Sequence, residues 1–149
     1  PEDIALLVML ERIDLYDNAL TGSIPQTINS LVALRYLYLQ NNQLNGTIPS
    51  AVGDIVSLEQ LTLNNNQFSG EIPLSIRTHS GLTHLYLNNN ALEGPVPSET
   101  YTDCVMTQNT GLCAPHDVSN GCTAGLEICV TDCVKLAAWL PAKFRGTGE

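Results

Sequence analysis

A 24-residue repeat constrains the fold of this chain more than any other feature of its sequence. From Leu34 to Pro49 the sequence follows the pattern Leu-x-x-Leu-x-Leu-x-x-Asn-x-Leu-x-Gly-x-Ile-Pro. With conservative apolar replacements, the same pattern occurs once before this stretch and twice after it. The four copies share one register without insertion, and their asparagines are Asn18, Asn42, Asn66 and Asn90. A strict period of this length is typical of a solenoid, in which each repeat packs on its neighbours.

The spacing inside the repeat predicts a short strand followed by a bend. The last two leucines of Leu-x-x-Leu-x-Leu alternate with a single residue between them, so their side chains point to one side of a strand. This places strands near residues 11–16, 35–40, 59–64 and 83–88. The asparagine falls where each strand ends, where its side chain can satisfy backbone groups of the bend and of the neighbouring repeat. The Gly column suits unusual backbone angles, and the Ile-Pro pair turns the chain.

These motifs closely resemble the plant-type leucine-rich repeat over roughly residues 1–100. The resemblance implies an α/β repeat solenoid, a right-handed superhelix with a parallel β-sheet on its concave face. It also implies turns, short helical pieces and a second short strand on the other side. Members of this family bind proteins, peptides and glycans, and as a rule they do not catalyse reactions.

The repeats divide the chain into three predicted regions. Residues 1–97 hold one partial and four full repeats, residues 98–140 form a C-terminal cap, and residues 141–149 form a tail. Because Pro1, Ile4 and Leu7 match the second half of a repeat, we expect residues upstream of Pro1, or else a partner chain that covers an open N-terminal end. The apolar columns fade after residue 97: Leu7, Leu31 and Ile55 are followed by His79 and Asp103. His79 is therefore expected to be partly exposed at the end of the stack. Met106 lies 24 residues after Leu82 and is expected to supply one last Leu-like contact in that column.

The predicted cap contains all five cysteines and one helix. Their positions are Cys104, Cys113, Cys122, Cys129 and Cys133, and the apolar run from Leu126 to Leu140 indicates a helix that ends at Pro141. The clustering suggests disulfide bonds and an oxidising, extracytoplasmic compartment. Resemblance to the plant-type cap favours pairing Cys113 with Cys122. Cys104 could then reach Cys129 or Cys133, and the odd cysteine would be free or paired outside this chain. Metal binding by Cys104, Cys129 and Cys133 is the disfavoured alternative, since no Cys-x-x-Cys pair occurs.

Composition and motifs narrow the possible functions. The net charge of −9 disfavours nucleic acid and anionic membranes as partners, and no apolar run is long enough to span a bilayer. No phosphate-binding loop, zinc-protease motif or nucleophile elbow is present. We therefore predict neither catalytic residues nor a cofactor or metal.

The outward positions of the predicted strands are the candidate ligand-binding residues. They are Arg12, Asp14, Tyr16, Tyr36, Tyr38, Gln40, Gln60, Thr62, His84 and Tyr86. Tyrosines provide flat amphipathic contact area for a protein or a sugar. The alternative explanation is that these tyrosines only favour β structure and pack across strands.

Asn45-Gly46-Thr47 is a candidate glycosylation sequon, although the repeat pattern imposes part of it.

The sequence favours a secreted or cell-surface recognition module that binds a protein or glycan through the concave face. A structural subunit that docks through an open N-terminal end is the first alternative. A fragment of a receptor-like ectodomain and a secreted hydrolase inhibitor are further alternatives. Ice binding is disfavoured, because Tyr, Arg and Asp interrupt the rows of Asn and Thr.

Overall fold

The computed structural model describes residues 4, 6–97, 102–109 and 111–113 of the chain. Its first sheet holds parallel strands in the order β1-β3-β5-β7-β9. We call it the concave sheet; its strands are β1 (Arg12–Asp14), β3 (Tyr36–Tyr38), β5 (Gln60–Thr62), β7 (His84–Tyr86) and β9 (Asp103–Val105). The repeat period sets the register, since Leu37 pairs with Leu61 and Leu61 with Leu85. The four predicted strands are confirmed, each shorter than the predicted range.

A second parallel sheet forms on the other side of the core, in the order β10-β8-β6-β4-β2. Its strands are β2 (Thr21–Gly22), β4 (Gln43–Thr47), β6 (Gln67–Glu71), β8 (Ala91–Pro95) and β10 (Gly111–Cys113). Here each glycine pairs with the apolar residue of the next repeat, as Gly46 does with Phe68 and Gly70 with Leu92. This confirms the second short strand expected from the resemblance.

Short helical turns follow the prolines of the first three full repeats. They are a 3-10 turn (Gln26–Ser30), α1 (Ser50–Gly53) and α2 (Leu74–Arg77). Pro25, Pro49 and Pro73 stand at their N-terminal caps in extended conformation, where the missing N–H costs no hydrogen bond. Consecutive turns pack closely: a Cβ atom added to Gly53 would lie 2.5 Å from the backbone of Ser75.

The core is a stack of apolar side chains contributed by both sheets and the helical turns. Leu61 and Leu63 point inward from the concave sheet, and Phe68 points inward from the second sheet. Each of these side chains is fully buried. At about 25 cal/mol per Å² of apolar surface, this burial is the main favourable contribution to folding, and each repeat depends on its neighbours for it.

The Asn column connects consecutive layers by hydrogen bonds. The Nδ2 group of Asn66 donates to the carbonyl oxygens of Leu39 and Leu63 at 2.9 and 3.1 Å. Its Oδ1 atom accepts a hydrogen bond from the Leu44 N–H at 3.0 Å. Asn42 and Asn90 make equivalent contacts. The sequence-based expectation that this column satisfies the bend and its neighbour is confirmed.

The sheets extend beyond residue 97 through a shorter layer. Cys104 pairs with Leu85, and Val105 pairs with Tyr86, so this layer follows the previous one at less than a full repeat period. Met106 is buried immediately after Val105 and therefore takes the place of Leu87 rather than that of Leu82. Asn109 is buried too, and its Nδ2 group donates to the Leu87 carbonyl oxygen at 2.9 Å. The expected Leu-like contact of Met106 is confirmed, but its register with Leu82 was wrong because it assumed a constant period.

His79 is buried, at 8% exposure, so the prediction of a partly exposed histidine was wrong. Its Nε2 atom lies 3.0 Å from the carbonyl oxygen of Ile55, and its Nδ1 atom accepts a hydrogen bond from the Gly81 N–H at 3.2 Å. With Nδ1 as the acceptor, Nε2 is the donor to Ile55, and the imidazole bridges two consecutive repeats.

The N-terminal layer is much more exposed than the layers behind it. Leu15 is 42% exposed, whereas Leu39 in the same column is 7% exposed. The side chains of Leu6, Met9 and Leu20 are also exposed. We call this apolar surface the N-terminal edge.

Much of the predicted cap lies outside the described residues. This holds for the 126–140 helix, the 141–149 tail and Cys122, Cys129 and Cys133. The side chain of Cys113 is not described either. Cys104 is disulfide-bonded, and its partner is not among the described side chains.

Candidate ligand-binding surface

The concave sheet brings most of the predicted binding residues onto one surface. In β3 the alternation of the strand buries Leu37 and turns Tyr36 and Tyr38 outward, where both are half-buried. The ring centroids of the two tyrosines lie 6.3 Å apart with an interplanar angle of 37°. A partly exposed pair of this kind offers a rigid aromatic contact area.

Arg12 of the neighbouring strand covers both tyrosines. Its guanidinium carbon lies 4.9 Å from the ring centroid of Tyr38 and 5.8 Å from that of Tyr36, which is within cation–π range. Asp14 holds the guanidinium from the side through an ion pair of 2.7 Å. The hydrogen bond to Asp14 raises the pKa of Arg12. We call Arg12, Tyr36 and Tyr38 the aromatic cluster.

Polar contacts fix the position of Tyr38 on the other side. Its hydroxyl donates to Oε1 of Gln60 at 2.5 Å, and burial raises the pKa of Tyr38. Next to it, the Thr62 hydroxyl donates to Oε1 of Gln40 at 2.7 Å. Thr62 is buried, at 9% exposure, so this predicted binding residue supports Gln40 and offers little surface of its own.

A charged pair beside the aromatic cluster was missed by the sequence analysis. Arg35 and Glu59 form an ion pair of 2.7 Å, and the guanidinium carbon of Arg35 lies 5.3 Å from the Tyr36 ring centroid. The Tyr36 hydroxyl donates to the other Glu59 oxygen at 3.3 Å. The hydrogen bond to Glu59 raises the pKa of Arg35. Opposite charges one repeat period apart were the available signal, because that spacing places them side by side.

The other end of the sheet has a different chemistry. The Tyr86 hydroxyl donates to the carboxylate of Asp103, and this hydrogen bond, with burial, raises the pKa of Tyr86 to about 12. His84 is half-buried, and its Nδ1 atom lies 2.8 Å from the Thr83 hydroxyl. Asp103 pairs with His84, so it faces outward from β9 instead of occupying the apolar column in which the sequence analysis placed it.

An amide ladder runs along the edge where the concave strands end. Asn41 donates to Asp17 at 2.6 Å, Asn65 donates to Asn41 at 2.5 Å, and Asn89 donates to Asn65 at 2.5 Å. These four residues have φ between 54° and 58°, in the left-handed region that Asn and Asp tolerate. Tyr16 lies beside the ladder and is exposed. The ladder forms a continuous polar border to the surface.

The candidate glycosylation site lies outside this surface, and the described residues hold neither a metal cluster nor a membrane-spanning helix. Asn45 is in β4 of the second sheet, away from the concave sheet. Residues 4, 6–97, 102–109 and 111–113 contain no group of three His, Cys, Asp or Glu side chains that could hold a metal ion. In the same part of the chain no helix is long and apolar enough to cross a membrane.

Comparison with known proteins agrees with this geometry. The leucine-rich-repeat family matches residues 8–68 and again residues 81–101, which together exceed half of the chain. The chain belongs to the leucine-rich-repeat family and is of the plant type. No curated protein sequence matches it significantly.

Solved structures of similar proteins are plant receptor ectodomains. The BIR3–SERK2 complex from Arabidopsis thaliana is 35% identical with a TM-score of 0.69, and the match covers 80% of this chain and 65% of that chain. The BIR2 ectodomain from Arabidopsis thaliana is 32% identical with a TM-score of 0.69, covering 82% and 66%. The Arabidopsis receptor kinase HAESA ectodomain, in complex with an extended IDA peptide hormone, is 38% identical with a TM-score of 0.69, covering 85% and 20%. In each case the chain spans less than two thirds of the matched protein's length.

Proposed function

We propose that this chain is a non-catalytic, extracellular recognition module that binds a peptide or a protein segment through its concave sheet. The aromatic cluster of Arg12, Tyr36 and Tyr38 is the observation that carries the proposal. Tyrosine and arginine are among the residues most enriched at sites that dominate binding energy. Here both kinds of side chain are held in place by ion pairs and hydrogen bonds, so binding would cost little side-chain ordering.

The surroundings of the cluster favour a peptide with mixed chemistry over a purely charged ligand. Asp14 and Glu59 are paired with Arg12 and Arg35, so the charges beside the tyrosines are balanced, while the amide ladder offers neutral donors and acceptors. A peptide that places an apolar or aromatic side chain against the exposed parts of Tyr36 and Tyr38, and polar groups against the amide ladder, would complement the surface. The peptide-bound HAESA ectodomain supports this ligand class, whereas a glycan remains the other class that tyrosines and amides suit.

The N-terminal edge supports a second candidate function, docking to another protein. Leu6, Met9, Leu15 and Leu20 form an exposed apolar surface of the kind that marks protein contacts. Under this proposal the chain is a part of a larger assembly, and substitution of the tyrosines would leave assembly unchanged. Binding through the concave sheet, the first proposal, fits both a receptor-like ectodomain and a secreted hydrolase inhibitor. An assay of cell-wall hydrolases with the purified chain would separate these two, because only the inhibitor would lower their activity.

The test is selection from a random peptide display library, in parallel with a glycan array. Peptides enriched on the unsubstituted chain are measured against Tyr38→Ala and against Gln67→Ala, an exposed control in the second sheet. We expect Tyr38→Ala to weaken binding at least about tenfold, which is about 1.4 kcal/mol, and Gln67→Ala to leave it unchanged. If sugars are enriched and peptides are not, the ligand is a glycan and not a peptide. Equal affinities of both variants would refute binding through the aromatic cluster, provided that urea unfolding shows both variants folded.

A further inference from the structure

Asn45-Gly46-Thr47 is the single Asn-x-Ser/Thr sequence in the 149 residues. It lies wholly within β4, the strand Gln43–Thr47 of the second sheet. In this strand Leu44 is buried, whereas Gln43, Asn45 and Thr47 are exposed. The acceptor asparagine and the hydroxyl residue of the sequon therefore both lie on the outer face of this sheet.

The repeat itself does not require asparagine at position 45. The equivalent positions in the other repeats hold Thr21, Ser69 and Glu93, which are also exposed. None of the hydrogen bonds among the described residues uses the Asn45 side chain, in contrast to the buried Asn42 and the ladder residue Asn41. The fold accounts for those two asparagines and leaves Asn45 without a structural role.

The space around Asn45 suits a bulky polar substituent. Its partner across the sheet is Gln67, and both side chains are exposed. The outer face of the sheet continues with the small or polar exposed side chains of Ser23, Gln43, Thr47, Ser69 and Glu71. Such a surface can hydrogen-bond with sugar hydroxyls and offers no apolar patch that needs a protein partner.

We propose that Asn45 carries an N-linked glycan that covers the outer face of the second sheet. In the transfer the Asn45 amide nitrogen forms a bond to C1 of an oligosaccharide, and the bond from C1 to a lipid diphosphate breaks. The lipid diphosphate leaves, and one amide proton passes to a base of the transferase. No oxidation or reduction takes place. This inference rests on the extracellular location in the proposed function.

The glycan would separate the two faces of the solenoid by function. The core lies between Asn45 and the aromatic cluster, so a glycan on β4 would leave the concave sheet open. It would also prevent a protein from lying flat on the second sheet. Protein partners are then excluded from the second sheet, while the concave sheet stays accessible.

The test is expression of the full chain through the secretory pathway of plant cells, followed by peptide mapping of the secreted, folded product. We expect a glycan on the Asn45 peptide of the natural chain and of Thr47→Ser, which keeps the hydroxyl. Asn45→Gln and Thr47→Ala should both lack it. An unmodified Asn45 in the secreted chain would overturn the proposal, as would a glycan that persists on the Thr47→Ala variant.

A binding measurement separates this proposal from the proposed function. We expect Asn45→Gln to bind the selected peptides as the natural chain does, whereas Tyr38→Ala binds them weakly. A glycosylated Asn45 together with undiminished binding by Tyr38→Ala would refute only the concave binding site. An unmodified Asn45 together with weakened binding by Tyr38→Ala would refute only the glycan.

Discussion

Replacing Asn66 by alanine should destabilise the solenoid far more than replacing its neighbour Asn64. The Asn66 side chain makes three good hydrogen bonds, to the carbonyl oxygens of Leu39 and Leu63 and from the N–H of Leu44. Each intramolecular hydrogen bond contributes about 1 kcal/mol net, and a buried group left unpaired costs about 1–3 kcal/mol. We therefore expect Asn66→Ala to lower the free energy of unfolding by about 3 kcal/mol or more.

Asn64 is the matched control because it is the same residue type in the same repeat. None of the hydrogen bonds among the described residues uses its side chain, and it is half-buried at the end of the concave strand. Asn64→Ala should cost about 0.5 kcal/mol or less, as surface substitutions usually do. A third variant, Asn66→Asp, keeps the acceptor for the Leu44 N–H but turns a carboxylate toward two carbonyl oxygens. It should be at least as destabilising as Asn66→Ala.

Urea unfolding followed by circular dichroism measures these differences. A lower midpoint with an unchanged slope reports a change in stability, whereas a changed slope reports partial unfolding of the array. The reasoning fails if Asn66→Ala and Asn64→Ala unfold at the same urea concentration. It also fails if Asn66→Asp is as stable as the natural chain.

Two further predictions concern a close contact and a titration. Gly53→Ala should destabilise the chain by more than about 1 kcal/mol, because the new Cβ atom would meet the backbone of Ser75 at 2.5 Å. At Gly22 nothing lies within 4 Å of an added Cβ atom, but φ is +83°, so Gly22→Ala should cost only about 1 kcal/mol of backbone strain. Thermal unfolding measures both variants, and a less stable Gly22→Ala than Gly53→Ala would contradict this prediction. The Tyr86 hydroxyl should ionise near pH 12 in the folded chain. Because this pKa is higher than in the unfolded chain, the stability that Tyr86 contributes is complete below about pH 10 and is lost as the pH rises through 12. In Asp103→Asn the pKa of Tyr86, followed by NMR of the ring carbon, should fall toward 10; an unchanged pKa would exclude Asp103 as the cause.

The sequence could predict whatever recurs with the repeat period. Leucines in fixed register predict the strands, and the asparagine that follows predicts the hydrogen bonds between layers, because the same local geometry recurs in every copy. The Arg35–Glu59 pair was predictable in principle, since residues separated by one period are neighbours in the stack. It was missed because both residues precede the outward positions of their strands, where binding residues were expected.

What departs from the period could not be predicted. The layer that contains Met106 follows the previous one at a shorter spacing, so extrapolation by one full period placed Met106 and Asp103 in the wrong columns. His79 stands in an apolar column, and a polar residue there suggests exposure. The Ile55 carbonyl and the Gly81 N–H satisfy the buried imidazole by hydrogen bonds. Their proximity to His79 becomes apparent only when the two repeats are stacked in three dimensions.

The amide ladder has a direction. Each asparagine donates toward the N-terminal neighbour, and the row ends at Asp17, whose carboxylate can accept but not donate. At the opposite end Asn89 donates to Asn65 through its Nδ2 group, and its amide keeps both a second N–H donor and an acceptor oxygen. Any group that extends the row beyond Asp17, whether from a ligand or from another chain, therefore has to supply a hydrogen.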